Sequence, residues 1–244
     1  MAGEITVAEL VRNGTMSAEM AGILWAAVDE RRSFLTVAIP RFAGKSTLSN
    51  AVLALRPPDV PLHHVDGSPE VMQHLKQERL GGYLVVAEFS QAPVPGYIWG
   101  EPVRRVFETL EAGYSLQAAL HAPGVEEALR AVTEGNDVSD ELASAFELVI
   151  YIERFGDNEE NFWRRLAEIY EVDRVRNGRP EGRTLFRWQA DEDRFERVEA
   201  PQGFAQGLDQ IEERAAVIAD LASTGRTGES DVTAAVVAFR AGVP

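Results

Sequence analysis

A glycine, a lysine and two hydroxyl residues follow one another at Gly44-Lys45-Ser46-Thr47, and residues of these types can bind phosphate together. Backbone N–H groups at a helix start point at an anion, a lysine ammonium is a point charge for phosphate oxygens, and a serine hydroxyl coordinates Mg²⁺. Lys45 is one of only two lysines in the chain, and arginine supplies the rest of the 24 basic residues. Because the arginine fork is wider and planar, this choice indicates that position 45 requires lysine.

The neighbouring segments supply the context of a phosphate-binding P-loop. The apolar run 34–39 predicts a strand and residues 46–56 predict a helix, with the main-chain N–H groups of Ala43 to Thr47 at the turn between them. The first glycine of the full pattern is replaced by Ile39, which predicts a distorted or incomplete phosphate cradle. The alternative is an ordinary helix start, in which Ser46 caps the helix.

Three further polar residues stand where predicted strands end. Asp66 closes the segment 60–66, Glu88 follows the apolar run 83–87, and His121 follows the apolar stretch 116–120. Ligands of parallel sheets bind outside the carboxyl ends of the strands, so these side chains are candidates for one site. Glu88 could position Mg²⁺ or a water, Asp66 could act as a base and His121 could contact a phosphate. Solvated carboxylates and a structural histidine are the alternatives.

The alternation of strands and helices predicts an α/β fold with a mostly parallel sheet covered by helices. We expect residues 1–155 to form a nucleotide-binding core and residues 156–244 to form an extension packed on the same domain. The extension should contain a small antiparallel hairpin, with strands at 184–188 and 195–198, and two terminal helices. Residues 161–172 fit a helix or a strand equally well.

Composition narrows the classes of partner. A net charge of −15 argues against nucleic acid and against an anionic membrane surface. The longest apolar run, 21–28, is too short to span a bilayer. The absence of cysteine excludes disulfides and thiolate chemistry, and the amino-terminal residues lack the pattern of a signal peptide. A cytoplasmic location is therefore expected.

The order of the motifs resembles the traffic ATPases of type II and type IV secretion and of Tad-type pilus assembly, over residues 5–240. Residues 65–70 resemble the acidic box, residues 84–88 the Walker B strand and residues 111–122 the histidine box. The resemblance implies a RecA-like P-loop motor domain that binds ATP and Mg²⁺ and works with secretion or pilus machinery, with Ser46 and Glu88 at the metal. It also implies that Glu88, Asp66 and His121 act in hydrolysis.

Several positions depart from that family pattern. Gly67 replaces the second acidic residue of the acidic box, Phe89-Ser90 replaces the residues after Walker B, including an arginine, and Tyr114 replaces the first histidine. Two hypotheses therefore stay open: an ATP-binding protein with slow hydrolysis coupled to conformational change, and a non-catalytic interaction module that keeps the fold. A small-molecule kinase fits less well, because no lid or acceptor-site signature is present.

The resemblance suggests a ring of several copies, although the sequence leaves the oligomeric state open. In a ring, one subunit can supply an arginine to the nucleotide site of its neighbour. The candidates for that role are the pairs Arg104-Arg105 and Arg164-Arg165. Solvated surface charge is the alternative for each pair.

Overall fold

A computed structural model describes residues 4–39, 42–156 and 162–242. In these ranges the strands join in one sheet that is partly parallel and partly antiparallel. The strands are β1 (Phe34–Ala38), β2 (Leu62–His64), β3 (Tyr83–Phe89), β4 (Tyr97–Ile98), β5 (Ser115–His121), β6 (Leu148–Phe155), β7 (Trp163–Arg176), β8 (Arg179–Gln189) and β9 (Arg194–Arg197). The helices are α1 (Val7–Arg12), α2 (Ala18–Asp29), α3 (Lys45–Leu53), α4 (Pro69–Glu78), α5 (Glu101–Leu110), α6 (Val125–Asn136), α7 (Asp140–Ala143), α8 (Leu208–Thr224) and α9 (Glu229–Arg240).

The parallel half of the sheet has the order β2-β3-β5-β1-β6. Strand β1 pairs in parallel with β5 on one side and with β6 on the other, so the strand before Gly44–Thr47 is central. The strand that ends near Glu88 lies one position beyond the strand that ends in His121. The parallel strands and the helices that connect them confirm the predicted α/β fold class.

The burial of the central strands explains their composition. All five residues of β1 are buried, because a helical layer covers each face of the sheet. Phe34 and Ala38 face the layer of α2, α3 and α8, while Leu35 and Val37 face the layer of α4, α5 and α6. Strands buried on both faces read as continuous apolar runs, which is why β1, β3 and β5 could be predicted from sequence.

The antiparallel half continues from β6 through β7 and β8 to β9. The predicted hairpin is confirmed, since Phe186 pairs with Arg197 and Trp188 with Phe195. The ambiguous segment 161–172 falls largely in strand β7, which is 14 residues long. Its alternation is interrupted by register shifts against both neighbouring strands, and this explains why its period could not be recognised in the sequence.

The terminal helix α8 packs closely against α2. A Cβ added to Gly22 would lie 2.7 Å from the carbonyl oxygen of Ile211, so only glycine allows this approach. Helix α2 is buried from Met20 to Val28, because it lies between the sheet and the carboxyl-terminal helices. Across the described ranges, no helix combines the length and the apolar character that a membrane span requires.

Candidate functional site

A cavity of about 460 Å³ lies at the carboxyl ends of the central strands. This volume is within the usual range of small-molecule sites. The loop before α3, the end of β3 and the end of β5 meet there. The lining residues are Phe42, Ala43, Gly44, Lys45, Ser46, Thr47, Glu88, Val94, Tyr97, His121 and Arg164.

The amino terminus of α3 forms one wall of the cavity. Gly44 is the N-cap residue, with φ of 100°, and no side chain caps the helix. The first N–H groups of a helix have no intrahelical partner, so those of Lys45, Ser46 and Thr47 are available to an anion. The alternative role of Ser46 as the cap is wrong, because the N-cap position falls two residues earlier. Ser46 is exposed instead.

The loop turns sharply into the helix rather than running extended. Phe42 has φ of 62°, a left-handed conformation that is uncommon for a bulky residue. Its side chain is 77% exposed and lies at the wall of the cavity. Ile39 stands at the position of the expected first glycine. It is half exposed, and its φ is not in the left-handed region. Positions 40 and 41 lie outside the described residues.

Three side chains form a charged cluster on the inner wall of the cavity. The Nζ of Lys45 lies 3.2 Å from Oε2 of Glu88 and 3.2 Å from Nε2 of His121. The other carboxylate oxygen of Glu88 lies 3.1 Å from Nε2 of His121. Lys45 is 7% exposed and Glu88 is 4% exposed. Three residues that are far apart in sequence are thus brought together at one place, as their positions at strand ends predicted.

The main chain fixes the orientation of His121. Its Nδ1 lies 3.0 Å from the carbonyl oxygen of Ile39, which can only accept a hydrogen bond. In a neutral ring the proton therefore resides on Nδ1, and Nε2 accepts from the Lys45 ammonium. When the ring is neutral, Nε2 carries no proton and cannot donate to Oε1 of Glu88. This agrees with the absence of a hydrogen-bond partner for Oε1 among the described residues. A second proton on the ring would make Nε2 a donor to Glu88.

Burial lowers the pKa of Lys45, and the attraction of Glu88 only partly opposes this effect. A charged ammonium in this position is therefore less well compensated than one in water. An additional anion in the cavity would supply the missing compensation. The cavity wall thus carries an incompletely compensated cation in a chain that is strongly acidic as a whole.

A buried polar network holds α3 against the sheet beneath the cavity. The hydroxyls of Thr36 and Ser49 lie 2.9 Å apart, and the amide of Gln117 donates to Ser49 at 3.0 Å. These residues belong to β1, α3 and β5, and of these elements α3 carries Lys45 and β5 carries His121. Sequence reasoning missed this network, although a threonine and a glutamine within apolar strand segments were a visible signal.

Asp66 lies apart from the cavity. Strand β2 is at the edge of the sheet, and Asp66 is exposed beyond its end. Its carboxylate accepts from the N–H of Ser68 at 3.0 Å, and hydrogen bonds from Ser68 lower its pKa. The next residue, Gly67, has φ of 69°, and a Cβ there would lie 2.4 Å from the carbonyl oxygen of Pro102. An aspartate at position 67 would clash with the start of α5.

The four candidate arginines have different environments. Arg104 donates to the carbonyl of Asn136, and Arg105 donates to the carbonyl of Gly67. Arg165 forms two hydrogen bonds with Asp193, at 2.7 and 2.8 Å. Of these four side chains, only that of Arg164 lines the cavity. Nothing in the local sequence distinguishes Arg164 from the adjacent Arg165.

Tyr114, which takes the place of the first family histidine, has a structural role. Its hydroxyl donates to the carbonyl of Leu75 and accepts from the N–H of Leu80. These contacts hold the end of α4 against the start of β5. Tyr114 does not line the cavity, so this part of the histidine box contributes only His121 to it.

The fold and the site together define an α/β protein with a charged cavity at the carboxyl ends of its central strands. No protein-family model matches the chain. An uncharacterized protein of Methanocaldococcus jannaschii is 26% identical over 140 residues, which are 50% of this chain and 52% of that protein.

Two solved structures of ATPases are also similar to the chain. One is the VirB11 ATPase from the Brucella suis type IV secretion system in complex with sulphate, at 14% identity and a TM-score of 0.46, covering 63% of this chain and 52% of that one. The other is the Legionella pneumophila ATPase DotB, at 14% identity and a TM-score of 0.40, covering 57% and 45%. The chain thus spans about half the length of these relatives.

Proposed function

We propose that the chain binds ATP with Mg²⁺ in the cavity at the amino terminus of α3. The observation that carries this proposal is the buried Lys45 ammonium beside uncapped helix N–H groups, at the wall of a cavity of nucleotide-compatible volume. Cations and helix amino termini bind phosphate by the same electrostatic attraction, and here both face one space. The N–H groups of Ala43 to Thr47 would surround the terminal phosphates.

The residues present fit a magnesium ion that is shared with phosphate. Mg²⁺ takes oxygen ligands and usually combines one or two protein groups with substrate phosphates and waters. The exposed hydroxyl of Ser46 and the carboxylate of Glu88, one oxygen of which lacks a hydrogen-bond partner, both face the cavity. No group of three or more metal-binding side chains occurs in the described ranges, so the ion would depend on the nucleotide.

Nucleotide binding would rearrange the charged cluster. Lys45 now contacts Glu88 and His121, and a triphosphate would draw its ammonium toward phosphate oxygens. Glu88 would then be released to orient a water toward the terminal phosphorus, and His121 would contact that phosphate. We expect slow hydrolysis, because Asp66, the candidate base, does not line the cavity.

The resemblance of the motifs to secretion and pilus motors supplies the biological setting of the proposal. In that setting, the change at Lys45 and Glu88 would move helices around the cavity and act on a protein partner of a secretion or pilus machine. A ring of copies would fit this role.

A second candidate is a non-catalytic interaction module with the same fold. Two observations favour it. The carboxylate of Asp66 bonds Ser68 outside the cavity, and the close approach of Pro102 leaves no room for an acidic side chain at position 67. The two candidates differ in whether ATP is hydrolysed, and also in how firmly it is bound.

Calorimetric titration with ATP, with and without Mg²⁺, tests the proposal. Lys45→Ala should weaken binding by about 30-fold or more, the usual effect of truncating one partner of a desolvated charge pair. Lys76→Ala is a matched control, since this other lysine is partly exposed and contacts Glu108 away from the cavity. Its affinity should equal that of the unaltered protein.

Phosphate release then separates the two candidates. Slow release that Glu88→Gln abolishes supports the ATPase. Binding that depends on Lys45, without any release, supports a nucleotide-binding protein that is not an enzyme. No heat signal at millimolar ATP, with no effect of Lys45→Ala, would refute nucleotide binding and leave the interaction module.

A further inference from the structure

A second cavity of about 450 Å³ adjoins the first. Its lining consists of two aromatic and two basic side chains, Phe42, Arg154, Phe162 and Arg164. Phe42 and Arg164 also line the cavity at the start of α3, so the two spaces share a wall. Charged side chains and helix N–H groups line part of the first cavity, whereas aromatic rings and guanidinium groups line the second.

Arg164 connects the two cavities. Its Nη2 donates to the carbonyl oxygen of Phe42 at 2.9 Å, and its guanidinium lies 4.5 Å from the centre of the Phe162 ring. A Cβ added to Gly44 would lie 2.9 Å from Nε of Arg164, so the side chain also covers the loop before α3. Arginine provides both a flat surface for stacking and donors for a phosphate.

Among the described residues, Arg164 forms no ion pair with a carboxylate, whereas the adjacent Arg165 pairs with Asp193. The Nε of Arg164 is buried and has no hydrogen-bond partner in that part of the chain. Burial and the nearby Arg154 both lower its pKa. The guanidinium of Arg164 is thus a positive charge at the wall of both cavities, in a chain of net charge −15.

Phe162 presents an aromatic face that both guanidiniums approach. Arg154 lies 4.7 Å from the centre of the ring, and it stands opposite Arg164 in the pairing of β6 with β7. Nucleobases stack on aromatic rings and on guanidinium planes, and such stacking tolerates any base because every base has a π-face. The exposed ring of Phe42 completes the surface.

We propose that the pocket of Phe42, Arg154, Phe162 and Arg164 binds the base of the nucleotide whose phosphates contact the amino terminus of α3. This inference rests on the proposed nucleotide binding. Arg164 lies between the two parts and contacts the phosphate nearest the ribose. The ligand class is a nucleoside triphosphate rather than an inorganic polyphosphate. Since stacking is tolerant, ATP and GTP should bind within about tenfold of each other.

Competition titrations with Mg·ATP, Mg·GTP and Mg·tripolyphosphate test this assignment. The unaltered protein should bind ATP about tenfold or more tightly than tripolyphosphate, the gain expected from one stacked base. Phe162→Ala should remove that gain for ATP and leave tripolyphosphate affinity within about twofold. Phe162→Tyr should restore the affinity for ATP. If the alanine variant does not fold, Phe162→Leu replaces it in the test. Leucine keeps an apolar side chain but has no aromatic face.

Trp163→Ala is the matched control. Trp163 is the adjacent aromatic residue, but it stacks on Phe155 and does not line either cavity. Its loss should leave both affinities unchanged. Equal affinity of the unaltered protein for ATP and tripolyphosphate would refute the base pocket and retain the phosphate site. An equal loss for both ligands in Phe162→Ala would show that Phe162 only supports the loop. Binding of neither ligand to the unaltered protein would refute both proposals.

Discussion

Two buried glutamates, one in each half of the sheet, have opposite environments. Glu88 ends the parallel part at the cavity, where its partners are the side chains of Lys45 and His121. Glu171 lies in the antiparallel strand β7 and is fully buried. One oxygen of Glu88 lacks a hydrogen-bond partner, whereas Glu171 accepts hydrogen bonds at both of its oxygens.

The partners of Glu171 come from three parts of the chain. Arg183 donates to it at 2.7 Å, and the main-chain N–H groups of Gln202 and Gly203 donate at 2.9 Å each. Arg32 lies 3.6 Å away. These contacts attach the segment after β9 to the sheet. Buried charges that are fully hydrogen-bonded hold structure, while an incompletely compensated charge at an open cavity can accept a ligand.

The largest expected effect is on stability, at Glu171. Glu171→Gln should reduce the free energy of unfolding by about 3 kcal/mol, because it leaves the Arg183 charge and the Arg32 charge without their buried partner. Urea unfolding followed by circular dichroism measures this change. Asp173→Asn is the control, since Asp173 bonds the same guanidinium but is half exposed. It should cost no more than about 0.5 kcal/mol. Equal losses of unfolding free energy in the two variants would show that the buried Glu171 stabilises the fold no more than the half-exposed Asp173.

The next effect concerns the pH dependence of binding at Lys45. Burial holds its pKa below the ordinary value of 10.5, and an anionic ligand binds the protonated form. Above the pKa of the ligand-free protein, binding must take up a proton, so affinity for tripolyphosphate should fall about tenfold per pH unit.

Lys45→Arg is the matched variant for this pH dependence. The arginine keeps a positive charge at every pH of the titration. The other ionisable residues His121 and Tyr97, which also line the cavity, are unchanged in this variant. Its affinity should therefore vary less with alkaline pH than that of the unaltered protein. Parallel curves for the two proteins would show that another group is responsible.

A smaller effect is expected at Glu88. Glu88→Gln removes a negative charge beside the phosphates, so binding of ATP without Mg²⁺ should strengthen. The enhancement by Mg²⁺ should decrease by roughly fivefold, because a carboxylate oxygen near the ion is lost. Calorimetry at both conditions measures the ratio. An unchanged ratio would exclude Glu88 from the metal site.

The smallest effect is expected at Asp66. Asp66→Asn should change ATP affinity and any phosphate release by less than about twofold, because its carboxylate bonds Ser68 at the sheet edge outside the cavity. Steady-state assays of phosphate release from Asp66→Asn and Glu88→Gln, measured in parallel, provide the comparison. A loss as large as that of Glu88→Gln would mean that β2 moves toward the site during turnover.

The parallel half was more accessible to sequence reasoning than the antiparallel half. Continuous apolar runs predicted β1, β3 and β5. The Gly44–Thr47 motif after the first run pointed to Lys45, and polar residues at the ends of the other two pointed to Glu88 and His121. The same rule also selected Asp66, because position along a strand does not reveal that β2 is at the edge of the sheet. Strand β7 stayed ambiguous, since its register shifts interrupt the alternation.

The sequence by itself determined the α/β class, and it predicted a phosphate-binding segment around Lys45, because both inferences depend on local pattern and residue chemistry. The tertiary structure decided which distant residues meet. The pairing of β6 with β7 brings Arg164 over Gly44, while the adjacent Arg165 bonds Asp193. Alternate residues of a strand point to opposite faces, and only the register of the sheet shows which of two neighbouring arginines reaches the cavity.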